Sequence, residues 1–210
     1  MTDLWTYEAE ARAAGYSLIC GVDEAGAGPL MGPVYAAAVI LPENCDLPGL
    51  NDSKKLTEKK REALFPLIQE QSLAWSVASV SAREIDDTDI LSARMKAMQL
   101  AIDGLSLRPD LALIDGNRDR GRCAAILTPH RCIISGDSLS ASIAAASVLA
   151  KVSRDRYVTD VLDKEYPQYR FAQHKGYGTA PHRAMLDQYG PCPEHRLTFL
   201  KKWRQGREQP

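Results

Sequence analysis

Five short runs of apolar or alternating positions read as strands: residues 18–22, 34–41, 73–80, 111–114 and 131–134. Between them apolar residues recur at three- and four-residue steps, the period of a helix with one buried face. Leu64, Leu67 and Ile68 mark such a stripe on a helix capped by Ser53 or Thr57. Pro66 interrupts that stripe, so a kink or break is expected near Phe65. Ile90, Leu91, Met95, Met98, Ala101, Ile102 and Leu105 mark a second helix over 84–105. The longest helix is expected over 138–164, alanine-rich from Ala141 to Ala150 and closely packed on one side. A short peripheral helix is expected within 1–16. Another should run from Pro181 to Tyr189, where proline suits a first turn. The order predicts a mixed α/β layout around one central sheet, followed by helices.

The chain has 210 residues, with no internal repeat, low-complexity segment or linker, which suits one well-cored domain. Its net charge of −1 announces no polyanion partner, so a nucleic-acid role must rest on local basic patches. Three qualify: Lys54–Lys55 with residues 59–61, Arg118 to Arg122, and the tail from Arg196 to Arg207. Each reads equally as a solvated face. The five scattered cysteines argue against a disulfide framework or a zinc site and suit a reducing compartment. The amino terminus carries acids where a secretory signal carries a basic segment, and the longest clean apolar run, 34–41, is too short to span a bilayer. A soluble, cytoplasmic protein with no membrane partner is expected.

Three of the strands run out onto an acid beside a glycine: V-D-E-A-G (22–26), L-I-D-G (113–116) and I-S-G-D-S (134–138). Strand ends gather at one edge of a sheet flanked by helices, the edge where ligands usually bind. Successive strand residues face opposite ways, so Asp23 and Glu24 can share a site only if their strand ends there, as the following glycines suggest. Four carboxylates so gathered would repel one another unless a cation balanced them. Without histidine or cysteine in these motifs the ligand set is all oxygen, which favours Mg²⁺ or Mn²⁺ over zinc. Taken singly, each acid reads equally as a turn residue or a helix cap. In the loop His174-Lys175-Gly176-Tyr177-Gly178, an aromatic between glycines can lie close to a sugar and its hydroxyl can meet a 2′-OH. His182 and His195 carry no partner signature and read as structural.

G-V-D-E-A-G-x-G-P-L-x-G-P-V, N-D-S-K-K-L, L-I-D-G-N, G-D-S, I-A-A-A-S-V-L-A-K-V-S-R-D and F-A-Q-H-K-G-Y-G-T together resemble bacterial ribonuclease HII, in that family's order and over roughly 19–199. The resemblance implies a ribonuclease H-like fold: a five-stranded mixed sheet flanked by helices over about 17–165, with a small helical carboxy-terminal extension over about 166–210. It implies a monomeric, metal-dependent endoribonuclease that hydrolyses RNA in RNA–DNA hybrids and incises 5′ to single ribonucleotides in duplex DNA. The ends would be 3′-hydroxyl and 5′-phosphate, and the role ribonucleotide excision repair. Carried over, the catalytic and metal-binding acids are Asp23, Glu24, Asp115 and Asp137, with two divalent ions, Mg²⁺ or Mn²⁺, in the active complex. Tyr177 matches the tyrosine that senses the 2′-hydroxyl, while Ser53 and Lys54 match a loop on the nucleic-acid backbone. The basic tail is where a replication-associated partner would dock. One departure stands out: the family's G-R-G or G-K-G turn here reads Gly26-Ala27-Gly28, keeping the amide but not the charge. Two competing readings remain, a hybrid-binding protein of reduced activity because of that turn, and a nuclease of the same fold acting on DNA.

Overall fold

The computed structural model describes residues 4–43, 45–116, 126–201 and 203. The basic cluster Arg118 to Arg122 and the tail residues Lys202, Arg204 and Arg207 lie outside the described residues. Five strands form one sheet: β1 (Ile19–Ala25), β2 (Val34–Ile40), β3 (Ala74–Val80), β4 (Leu111–Asp115) and β5 (His130–Ile133). Their order is β3-β2-β1-β4-β5, with β1–β2 and β2–β3 antiparallel and β1–β4 and β4–β5 parallel. This is the expected five-stranded mixed sheet of the ribonuclease H fold.

The helices are α1 (Thr6–Ala13), α2 (Glu58–Gln71), α3 (Ala82–Asp87), α4 (Ile90–Asp103) and α5 (Ala141–Tyr157), with shorter turns following. Alternation along β2 divides the core, since strand residues face opposite sides in turn. Ala36, Ala38 and Ile40 pack with Met95, Met98 and Ile102 of α4, while Ala37 and Val39 pack with α2 and α5 through Leu64, Ile68, Ala145 and Leu149. Gly21 lies where α5 crosses β1: a Cβ there would sit 2.1 Å from the Ser142 carbonyl carbon, so only glycine lets the helix lie this close.

Several local expectations are corrected. β1 does not end at Val22 but runs through Asp23 and Glu24 to Ala25, so the two acids face opposite sides of the sheet. The helix expected over 84–105 is two, because Asp89 caps α4 through its carboxylate, which accepts from the amides of Leu91 and Ser92 at 2.9 and 3.1 Å. Pro66 breaks nothing: α2 is continuous, held on both sides of the proline by buried Leu64, Phe65 and Ile68. Its cap is Thr57, not Ser53. The long helix starts later than expected, after Ser140, and runs on through a π turn, Val158–Leu162. Nor is α1 peripheral. Its Glu8 is buried and takes the Ser140 and Ser142 hydroxyls, both at 2.6 Å, and the Ser142 amide at 2.9 Å, capping α5 from another element.

Beyond α5, Val158, Leu162, Tyr169, Phe171, Leu186 and Leu200 form a separate small core, into which Met31 from the turn after β1 is inserted. Among the described residues no helix is long and apolar enough to cross a membrane.

Candidate active site

Asp23 and Asp115 occupy odd-numbered positions on adjacent parallel strands, facing α5, and Asp137 follows β5 in a short 3-10 turn, Gly136–Ser138. One carboxylate oxygen from each lies within 4.8 Å of the others. The Asp137 amide donates to Asp115 Oδ1 at 3.3 Å, and Asp23 Oδ1 accepts from the Glu24 amide at 2.7 Å. Burial, then the Glu24 and Asp115 charges, push Asp23 well above the usual carboxylate range. Burial likewise raises Asp115, and burial together with the Asp115 charge raises Asp137. Lys54 Nζ reaches Asp137 Oδ2 at 3.2 Å. Burial alone would lower Lys54, but the Asp23 and Asp137 carboxylates overcome it and hold the ammonium charged.

Glu24 stands apart on the α4 side, its Oε1 paired with Arg94 Nη2 at 2.7 Å and its Oε2 buried without a partner. The three gathered aspartates, two of them raised by the Glu24 charge as well as by burial, form a donor set that suits a hard divalent cation. The residues present therefore fit the metal that such a site calls for.

The turn after β1 sits three residues beyond Asp23, about 10 Å of extended chain. Gly26 has φ +94°, and a Cβ there would meet Arg154 Nε at 2.1 Å, so the turn rests directly on a guanidinium. Tyr177, 44% exposed, faces the turn: its Cε1 lies 3.7 Å from where a Gly28 Cβ would be. The two loops are joined by Leu30 N donating to Gly176 O at 2.8 Å. Of the expected substrate-binding residues, the structure places Tyr177 against Gly28 in the Gly26-Ala27-Gly28 turn. Ser53, by contrast, is buried, its amide donating to Ser147 Oγ at 3.2 Å, while Arg61 Nη1 donates to Ser53 O at 2.9 Å.

Three histidines hold the Tyr177 loop. His182 Nδ1 donates to Tyr177 O at 2.9 Å, so its Nε2 accepts from His195 Nε2 at 3.0 Å, and His195 Nδ1 accepts from the Cys192 amide at 2.9 Å. His174 Nε2 donates to Tyr169 O at 3.0 Å, and its Nδ1 accepts from the Gly176 amide at 3.2 Å. Every ring is neutral in this chain of bonds. Burial pushes His182 and His195 down to about 4, and lowers His174 as well. His182 and His195, read from the sequence as lacking partners, are each other's partner.

Sequence reasoning missed Arg94, Arg154 and Arg196. Arg154 lay within a motif whose alanines drew attention to packing, and Arg196 was counted in a basic tail. Both are fully buried. Arg154 donates to Pro33 O, Lys175 O and Met31 O at 3.3, 3.2 and 3.2 Å, tying the turn to the Tyr177 loop.

The family profile described as Ribonuclease HII matches residues 20–204. The ribonuclease HII of Vibrio parahaemolyticus is 54% identical over 185 residues, 88% of this chain and 85% of the relative. That of Acetivibrio thermocellus is 48% identical over 201 residues, 96% and 77% of the two chains. Among solved structures, the ribonuclease H2 of Pyrococcus horikoshii superposes with a TM-score of 0.73 at 27% identity, covering 90% of this chain and 96% of that one. With the acids at the strand ends of a ribonuclease H fold, these matches establish that the chain belongs to the ribonuclease HII family, metal-dependent endoribonucleases of the type 2 ribonuclease H class.

Proposed function

We propose that this protein hydrolyses RNA in RNA–DNA hybrids and incises 5′ to a single ribonucleotide in duplex DNA, leaving 3′-hydroxyl and 5′-phosphate ends, as a monomer serving ribonucleotide excision from DNA. The observation that carries this reading is the Tyr177 ring held against Gly28, one turn beyond Asp23. An aromatic face and a backbone turn together can enclose a ribose and report its 2′-hydroxyl, which DNA lacks.

Asp23, Asp115 and Asp137 would hold divalent cations, Mg²⁺ or Mn²⁺, and the open Oε2 of Glu24 would complete the set. When bound, such ions polarise the phosphate and make a water a stronger nucleophile. Asp115 Oδ1, accepting from the Asp137 amide, keeps those two carboxylates in register. Lys54, side chain 71% exposed and resting on Asp137, is placed to turn outward to a phosphate once a cation takes over its charge balance. Lys201 and the basic residues after it are the proposed docking point for a replication-associated partner.

The test is a gel assay on duplex DNA with one embedded ribonucleotide, beside an all-DNA duplex, with Mg²⁺ and with Mn²⁺. Incision on the 5′ side of the ribonucleotide alone is the expected result. Equal cutting of both duplexes would instead identify a DNA nuclease, and binding without cutting would identify a hybrid-binding protein. In the same assay Asp115→Asn should lower the single-turnover rate by about 10²–10³-fold, the scale of losing one preorganised electrostatic contact.

A further inference from the structure

The guanidinium of Arg196 is fully buried and makes no ion pair among the described residues. The nearby Asp86 carboxylate is taken up by the amides of Leu197 and Thr198, at 2.6 and 3.0 Å. Arg196 instead points all its nitrogens at main-chain carbonyls of one turn: Nη2 to Gly26 O at 2.7 Å, Nη1 to Ala27 O at 3.2 Å and Pro29 O at 2.9 Å, and Nε to Gly32 O at 2.9 Å. A buried cation without a carboxylate is costly, and its place here calls for a reason beyond packing.

That reason lies in the peptide unit. All described peptide bonds are trans, so each carbonyl points opposite to the following N–H. With the Gly26 and Ala27 carbonyls drawn inward, the Ala27 and Gly28 amides face the other way, and neither has an acceptor among the described residues. Two adjacent outward amides backed by positive charge form a concavity for an anion.

The resemblance to ribonuclease HII already implies that the 26–28 turn grips a substrate phosphate through its backbone amides; we propose that Arg196 is the positioning residue of that grip. It sets the Ala27 and Gly28 amides toward a backbone phosphate of the substrate, and Arg154 beneath Gly26 adds a second charge from behind. The charge that Ala27 does not carry on its side chain is thus supplied from inside the fold. This rests on the ribonucleotide-incising function proposed above.

The test compares wild type with Arg196→Lys, which keeps the charge and loses the fork. Kd is measured for duplex DNA with and without one ribonucleotide, alongside calorimetric Mn²⁺ affinity and circular dichroism. The variant should bind the ribonucleotide duplex about tenfold more weakly, with preference over all-DNA reduced, while Mn²⁺ affinity is unchanged. A folded variant with wild-type Kd and preference overturns the positioning role alone. Wild type without preference overturns the function and the proposal with it. Should the variant not fold, amide spectra of the wild type decide. Downfield shifts of Ala27 and Gly28 on adding the ribonucleotide duplex support the grip, and unmoved signals at saturation overturn it.

Discussion

Arg94 and Glu24 form a largely buried pair with one atom on each side left open, Arg94 Nε and Glu24 Oε2. Breaking such a pair from one side leaves a buried charge uncompensated, a loss of about 3 kcal/mol. Arg94→Met should therefore lower the melting temperature of the metal-free protein. A cation would then stand where Glu24 has lost its Arg94 partner, so Mn²⁺ should raise the variant's melting temperature more than the wild type's. Equal shifts in paired thermal melts would show that Arg94 does not compete for Glu24. Ala27→Arg is the complementary change, adding charge on the outside of the turn. Binding to ribonucleotide-containing duplex should tighten, and log K against log salt should steepen by about 0.9, one further phosphate neutralised. A salt titration of Kd checks it, and an unchanged slope sinks the idea that this side chain would reach a phosphate.

Glu8 joins α1 to the first turn of α5, accepting three hydrogen bonds where the helix presents its free amides. Glu8→Ala removes the acceptor of two buried hydroxyls and an amide, leaving the hydroxyls only each other at 3.2 Å, and should cost about 2–3 kcal/mol in chemical denaturation. Glu8→Gln, which keeps an acceptor, should cost less. The same elements show what a linear chain reveals. The strand-end acids were legible because an apolar run meeting Asp-Gly is a local pattern. The split at Asp89 was not, because the periodic stripe continues across it while the cap acts through only two amides. Pro66 misled in the opposite direction: a local rule predicted a break, and the burial of Leu64, Phe65 and Ile68 outweighed one lost hydrogen bond. Arg196 was hidden for a deeper reason. Its partners are carbonyls, which every residue carries, so no letter in the sequence marks them.

The three histidines couple the C-terminal extension to the tyrosine loop, and this coupling gives the molecule a pH dependence with a definite sign. His182 and His195 lie at about 4 in the folded chain against 6.5 for the ordinary imidazole, since burial disfavours the charged ring. The unfolded chain therefore takes up protons that the folded chain refuses as the pH falls from about 6.5. The histidines' contribution is fully present above that value and is lost progressively toward 4. The ring signals of both histidines should stay unprotonated between neutral pH and pH 5, while the raised carboxylates of Asp23, Asp115 and Asp137 act on stability in the opposite sense. Titration of either ring near 6.5 in the native protein would contradict the network. The gathered aspartates thus stand at the ends of the sheet's strands, while the tyrosine loop is secured from the far end of the chain.

The contact at Gly21 reaches further than packing. Asp23 lies two residues along β1 from it, and Asp137 lies five residues before Ser142, the α5 residue that rests on it. Main chain lying on main chain thus ties the strand that carries Asp23 to the start of the helix that follows Asp137. An ion held beside Asp23 would feel that constraint, and Mg²⁺ and Ca²⁺ differ in ligand distance by a few tenths of an ångström, roughly 2.1 against 2.3–2.6 Å. A larger residue at position 21 would press on that contact from the same face of β1 that carries Asp23.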